Sequence, residues 1–241
     1  MLILFDIDCT LLTSDRAGLR AMTLAGRDLL GDEFTMEGID FAGRLDPWIW
    51  RAACHNHAVR YNLDGALNAA SMHDEFRAHY GHHLEEILEQ ERTNPDCPGV
   101  QLLPGIASLI DRLDKNPEVT LGLLTGNYPE TGRLKITAAG INPQVFVLGA
   151  FGDDVPDSLN RDDLPPVAIS RYKNIQSSPA NTTILGDTIH DIQCAKTHAC
   201  RALGVATGYT SKNDLIAAGA DLALDDLSDV DAVAVWLTDG E

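Results

Sequence analysis

Two aspartates, Asp6 and Asp8, close the apolar run LILF at residues 2–5 and stand two positions apart in LILFDIDCTLL. Carboxylates this close at the end of a buried strand repel each other, and leaving them unpaired costs several kcal/mol. Further acids end other apolar runs. TTILGD is followed by TIHD, which places Asp187 and Asp191 four residues apart, and AFGDD ends in Asp153 and Asp154. LGLLTGN supplies a hydroxyl at Thr125, then Gly126, a residue that lets backbone N–H groups approach a ligand, and then Asn127. A hard divalent ion would make such crowding tolerable. Mg²⁺ prefers oxygen donors and is held by one or two carboxylates, substrate phosphate and water. Asp6 and Asp187 are the first choices as carboxylate ligands, with the backbone carbonyl of Asp8 beside them. The same ion would let an anionic phosphate approach an anionic nucleophile.

These groups meet only if the strands that carry them lie side by side. Residues 2–6 read as a strand. Thr13, Ser14 and Asp15 then offer N-cap chemistry for a helix through about Leu30. From there to about Pro98 the chain reads as helical and rich in histidine, with apolar residues at helical spacing over 66–91. A turn cluster, NPDCPG at 94–99, ends this stretch. Beyond it, helices at 105–114, 129–139, 165–175, 190–199 and 211–218 alternate with strands at 119–125, 145–151, 182–187 and 201–207. A short apolar step at 222–224 and a last helix follow. Continuous apolar strands between helices indicate a parallel sheet covered on both faces. Ligands of such sheets bind outside the carboxyl ends of the strands. The predicted class is therefore α/β, a doubly wound parallel sheet, with residues 1–14 and 98–241 forming the core and 15–97 an inserted α-helical cap.

The balance of charge narrows the partners. Eighteen basic against thirty-six acidic side chains give a net charge of −18, which repels nucleic acid and anionic membrane surfaces. No apolar run approaches the roughly 18 residues of a membrane span. The five cysteines are scattered without a CxxC pair, a pattern that suits reduced thiols and a cytoplasmic setting. With a strand beginning at residue 2, no signal peptide is expected.

DIDCT at 6–10 resembles the DxDxT motif of the haloacid dehalogenase-like (HAD) hydrolases. LLTGN at 123–127 resembles the second motif of that superfamily, and GDTIHD at 186–191 resembles its acidic fourth motif. Order and spacing fit across nearly the whole chain. The third motif departs from the pattern, because the usual Lys-Pro is missing. Arg161, in DSLNRDDLPPVAI, stands at the matching distance and is preferred to Lys173, which sits close to the following strand and reads as mid-helix.

The resemblance implies a Rossmann-like core with a helical cap and a Mg²⁺-dependent phosphatase acting on a small-molecule phosphate ester. In that reading Asp6 attacks phosphorus, and Asp8 protonates the leaving oxygen and then deprotonates water. Thr125, Gly126, Asn127 and Arg161 bind the phosphoryl group. Asp6, Asp8, Asp187 and Asp191 form the metal site, with Asp191 positioning the ion or its water. An acid at position 8 favours phosphoryl chemistry over dehalogenation, which has no alkoxide to protonate. FAGRLDPWI at 41–49 resembles the specificity loop of the phosphoglycolate phosphatase-like branch, where Arg44 would meet a carboxylate or second anionic group. Phosphoglycolate is the leading substrate, and a monomer or homodimer is expected. A sugar-phosphate mutase of the same superfamily is the nearest rival. A non-catalytic nucleotide-binding module would need a Gly-rich turn where the chain has DCTLLTS.

Other residues are read as structural. His73, His79, His82 and His83 suit a solvated helix face; His79 and His83 are spaced i, i+4, but no third metal ligand of suitable spacing is evident. His55 and His57 fall on different helix faces. The Cys9 side chain is expected to point into the core, and Trp48 and Trp50 to fill the core of the cap. His190 stands either beside the metal's waters or as a cap of its helix.

Overall fold

The computed structural model describes residues 1–63, 67–176 and 181–239. Six parallel strands form the main sheet: β1 (Leu2–Phe5), β4 (Thr120–Leu124), β5 (Leu148–Ala150), β6 (Thr182–Gly186), β7 (Arg201–Val205) and β8 (Leu222–Leu224), in the order β5-β4-β1-β6-β7-β8. The chain leaves β1 to build β4 and β5 on one side and then returns to build β6, β7 and β8 on the other. The switch in strand order thus falls at β1, whose carboxyl end opens the crevice where ligands of such sheets bind.

Alternation along each strand feeds two cores. Ile3 and Phe5 of β1, with Leu121 and Leu123 of β4, face one apolar cluster shared with α4 (Ile106–Asp114) and α9 (Val230–Thr238). Leu2 and Leu4 face the other, shared with α6 (Leu164–Lys173) and α7 (Ile189–Thr197). Burial on both faces explains the unbroken apolar strands, and the doubly wound α/β reading holds. Two further helices, α5 (Pro129–Ala138) and α8 (Lys212–Ala217), follow β4 and β7. Among the described residues no helix is long and apolar enough to cross a membrane.

Three helices, α1 (Ala17–Leu30), α2 (Asp46–Tyr61) and α3 (His73–Thr93), pack on a third cluster, which Tyr128 joins from the loop after β4. Ala17, Ala21 and Ala25 form a fully buried stripe on α1 that lets α3 approach closely. Trp50 is buried and stacks on Phe76 with ring centroids 4.0 Å apart, and its indole N–H donates to the Ala69 carbonyl at 3.0 Å. The stretch read as helical over 66–91 becomes regular helix only from His73, and Ala66 lies outside the described residues.

Two local expectations are corrected. Thr13 does not cap α1. It pairs with Gln101 in a two-stranded antiparallel ribbon of β2 (Leu12–Thr13) and β3 (Gln101–Leu102), which ties the entry of the helical segment to its exit. The helix then starts after Arg16, in the left-handed region, with no side-chain cap. The strand read over 145–151 is shorter, because Pro143 opens a 3₁₀ turn over Pro143–Val145 and pairing with β4 begins only at Leu148.

Candidate active site

Asp6 follows β1 directly, and Asp187 follows β6, its hydrogen-bonded neighbour. The parallel register Phe5↔Leu185 brings the two acids to one sheet edge. Asp191 joins them from the first turn of α7. One carboxylate oxygen from each of Asp6, Asp187 and Asp191 lies within 4.8 Å of the other two, and all three side chains are buried. Burial, together with the charges of Asp191 and Asp8, pushes Asp6 up to about 6 against the pull of Arg161. Burial and the charges of Asp191 and Asp6 push Asp187 up to about 8. Oxygen donors packed this closely and held this uneasily suit a hard divalent cation, so the residues present fit Mg²⁺.

Asp191 is already engaged at both oxygens. Oδ2 accepts from the Thr188 N–H and hydroxyl at 3.0 and 2.6 Å, closing a reciprocal cap on α7, and Oδ1 pairs with Arg161. Arg161 opens the 3₁₀ turn Arg161–Asp163 ahead of α6 and is buried. Its Nη2 also lies 3.2 Å from Asp6 Oδ1, while Nε is buried without a partner among the described residues. Burial works against the guanidinium, but Asp191 and Asp6 more than offset it and raise its pKa. Lys173 ends α6 on the exposed surface, not mid-helix, and does not line the cavity.

Asp8 has partners of its own in the same cavity. Its Oδ2 accepts from Lys135 Nζ at 2.6 Å and from Asn127 Nδ2 at 2.9 Å. Asn127 Nδ2 also reaches the Thr125 hydroxyl at 2.9 Å, and its Oδ1 accepts from Lys135 at 2.7 Å. Burial alone would lower the Lys135 ammonium, yet Asp8, Asp46 and Asp6 leave it raised. Sequence reasoning passed over Lys135. The available signal was a lysine on the inward face of α5, three residues after Gly132 and four after Thr131, both buried.

The cap closes the other wall. Asp46 opens α2 by docking on the loop after β4: its N–H donates to the Gly126 carbonyl at 2.8 Å, and its carboxylate accepts the Tyr128 N–H at 3.1 Å. Burial pushes Asp46 up to about 7. A side chain at Gly126 would meet the Arg44 carbonyl at 2.1 Å, so the glycine admits the cap loop itself. Gly43 has φ of 67° and packs on His190, where a Cβ would lie 2.8 Å from the imidazole. His190 thus braces the cap loop; burial, Arg44 and Arg161 lower its pKa. The Arg44 guanidinium lies 4.7 Å above the Trp48 ring, and its Nε is buried without a partner among the described residues. Core and cap together enclose a cavity of about 290 Å³ that takes in Asp6, Asp8, Thr125, Gly126, Asn127 and Asp187. Four cations, Arg16, Arg44, Lys135 and Arg161, line it within a chain of net charge −18.

Three expectations fail, two of them at the rim and one on the outer face of the cap. Asp153 and Asp154 do not join the acids: Arg77 of α3 takes Asp153 at 2.8 Å, and Arg171 takes Asp154 at 2.6 Å. The loop after β5 turns them toward these cations. Cys9 does not enter the core. It adopts a left-handed φ of 58° and lines the cavity, where burial and the charges of Asp187, Asp8 and Asp6 push its thiol up to about 12. His79 and His83 do have a third group beside them, Asp28 of α1, which sequence spacing could not reveal.

Comparison with known proteins agrees with this geometry. A HAD-hydrolase-like family model matches residues 165–230. The chain is 26% identical over 237 residues to a probable phosphatase, IndB, of Dickeya dadantii, covering 95% of this chain and 91% of that protein. It is also 26% identical to a phosphoglycolate phosphatase of Vibrio parahaemolyticus, covering 97% and 96%. Among solved structures, CbbY from Rhodobacter sphaeroides in complex with phosphate shares the fold, with a TM-score of 0.69 at 19% identity and 95% of each chain covered. The acidic motifs at the ends of β1 and β6, the threonine at the end of β4, the family match over residues 165–230 and two phosphatase relatives together support kinship with the haloacid dehalogenase-like hydrolases.

Proposed function

We propose that this chain is a Mg²⁺-dependent phosphoric monoester hydrolase that works through a phosphorylated Asp6. The observation that carries the reading is the convergence of Asp6, Asp187 and Asp191 beside Asp8 in a cavity lined with cations. A bound Mg²⁺ would offset the carboxylate charge and draw the phosphate in. Asp6 and Asp187 are the residues suited to hold it, with Asp191 setting the position of Arg161.

The chain's own groups divide the work. A carboxylate oxygen of Asp6 forms a bond to phosphorus as the ester P–O bond breaks. Arg161, Thr125 and the Gly126 N–H offset charge on the remaining phosphoryl oxygens. Asp8 gives its proton to the departing alkoxide, then takes one from the water that attacks phosphorus, releasing phosphate and restoring Asp6. Lys135 and Asn127 hold Asp8 Oδ2 and fix the carboxyl in place.

Arg44 bears on the substrate. It has no carboxylate partner among the described residues and lines the cavity. A small ester with a second anionic group fits it, and the name of the Vibrio relative makes phosphoglycolate the first choice. The test is phosphate release across a panel of small esters with Mg²⁺ and with EDTA. Turnover with Mg²⁺, lost in EDTA and weighted toward doubly anionic esters, is expected. Hydrolysis of no ester, or equal hydrolysis in EDTA, overturns the proposal.

A further inference from the structure

On the cap, away from the cavity, three side chains from two helices meet. His79 and His83 lie i, i+4 on α3 and so project from one face. Asp28, in the last turn of α1, lies against that face. His79 Nδ1 and His83 Nε2 are each 2.7 Å from Asp28 Oδ2, and one ligand atom from each of the three lies within 4.8 Å of the others. The second ring nitrogen of His83, Nδ1, faces Glu86 Oε2 at 3.7 Å. A carboxylate behind a ligating imidazole is the arrangement that orients metal-binding histidines and raises their basicity.

The donor set selects the ion. Mg²⁺ and Ca²⁺ prefer all-oxygen surroundings, whereas two imidazoles and a carboxylate suit Zn²⁺ and its neighbours in the first transition row. None of the three residues lines the catalytic cavity. Their side chains are 37%, 18% and 38% exposed, so an ion can enter from solvent without opening the cap. We propose that His79, His83 and Asp28 form a second metal site, for a divalent transition cation, that staples α1 to α3. The ion would take the place of the hydrogen bonds between the imidazoles and Asp28, and water would fill its remaining positions.

Zn²⁺ titrated calorimetrically into the chelator-stripped full chain, in saturating Mg²⁺ to fill the catalytic carboxylates, tests this. The wild type is expected to bind one more equivalent of Zn²⁺ than the His79→Gln/His83→Gln variant and than Asp28→Asn. Zn²⁺ should raise the Tm of the wild type and leave both variants unmoved. Glu86→Gln should weaken Zn²⁺ binding about tenfold. Phosphate release measured without Zn²⁺ should match the wild type in all three. Equal Zn²⁺ stoichiometry in the wild type and in Asp28→Asn, whose helices keep every apolar contact, overturns the proposal.

Discussion

Lys135 Nζ lies 2.6 Å from Asp8 Oδ2, joining the interior of α5 to the loop that follows β1. The lysine also donates to Asn127, so one buried ammonium ties together the loops that follow β1 and β4. Lys135→Met keeps the aliphatic volume and removes the charge. It leaves Asn127 Oδ1 and the buried Asp46 without the cation that offsets them, a loss of about 1–3 kcal/mol in stability. Activity should fall at least as far as loss of an oriented general acid implies, roughly 10²-fold in kcat. Denaturant melts and steady-state kinetics check both.

Arg161→Ala should be far more damaging than Lys173→Ala. Arg161 is buried between Asp6 and Asp191, and removing it strands two buried carboxylates, a loss of about 3–5 kcal/mol. Lys173 is exposed at the end of α6, so its removal should leave Tm and turnover within error of the wild type. Equal effects of the two substitutions would contradict the placement of Arg161.

Gly126→Ala isolates the docking of the cap. The new methyl would meet the Arg44 carbonyl at 2.1 Å, so the 41–44 loop must shift while Asp6, Asp8 and Asp187 stay in place. KM should rise more than kcat falls, and the Asp46→Gly126 backbone bond should lose protection in hydrogen exchange.

The raised carboxyls set the pH behaviour. Asp6 and Asp187 move from 3.8 to about 6 and about 8, so the fold favours their neutral forms. That contribution is full below about pH 4 and is lost as pH rises through the folded values. In EDTA, Tm should therefore fall between about pH 5 and about pH 8.5. Mg²⁺ binds the ionised carboxylates, so it should raise Tm more at the upper pH than at the lower. A Mg²⁺ shift of equal size at both would contradict the assignment of these acids to the metal.

What the sequence made legible follows from local physics. Strands buried on both faces read as apolar runs, so Asp6, Thr125 and Asp187 stood out as polar residues at their ends. Arg161 was singled out by its distance from Asp187, and the structure pairs it with Asp6 and Asp191. What stayed hidden depended on contacts between distant segments. Thr13 looks like a helix cap until Gln101 pairs with it. Lys135 looks like an ordinary helix lysine until α5 turns it toward Asp8. Asp28 meets His79 and His83 only because α1 and α3 pack together. The left-handed turn that sends Cys9 to the cavity has no signal in its residue type.

The most direct test of the account is rapid-quench mass spectrometry of the chain during turnover with Mg²⁺. A phosphoryl group on the peptide bearing Asp6, absent together with all turnover in Asp6→Asn, is the predicted result. Turnover that persists in Asp6→Asn, with no phosphorylated peptide in the wild type, would contradict it.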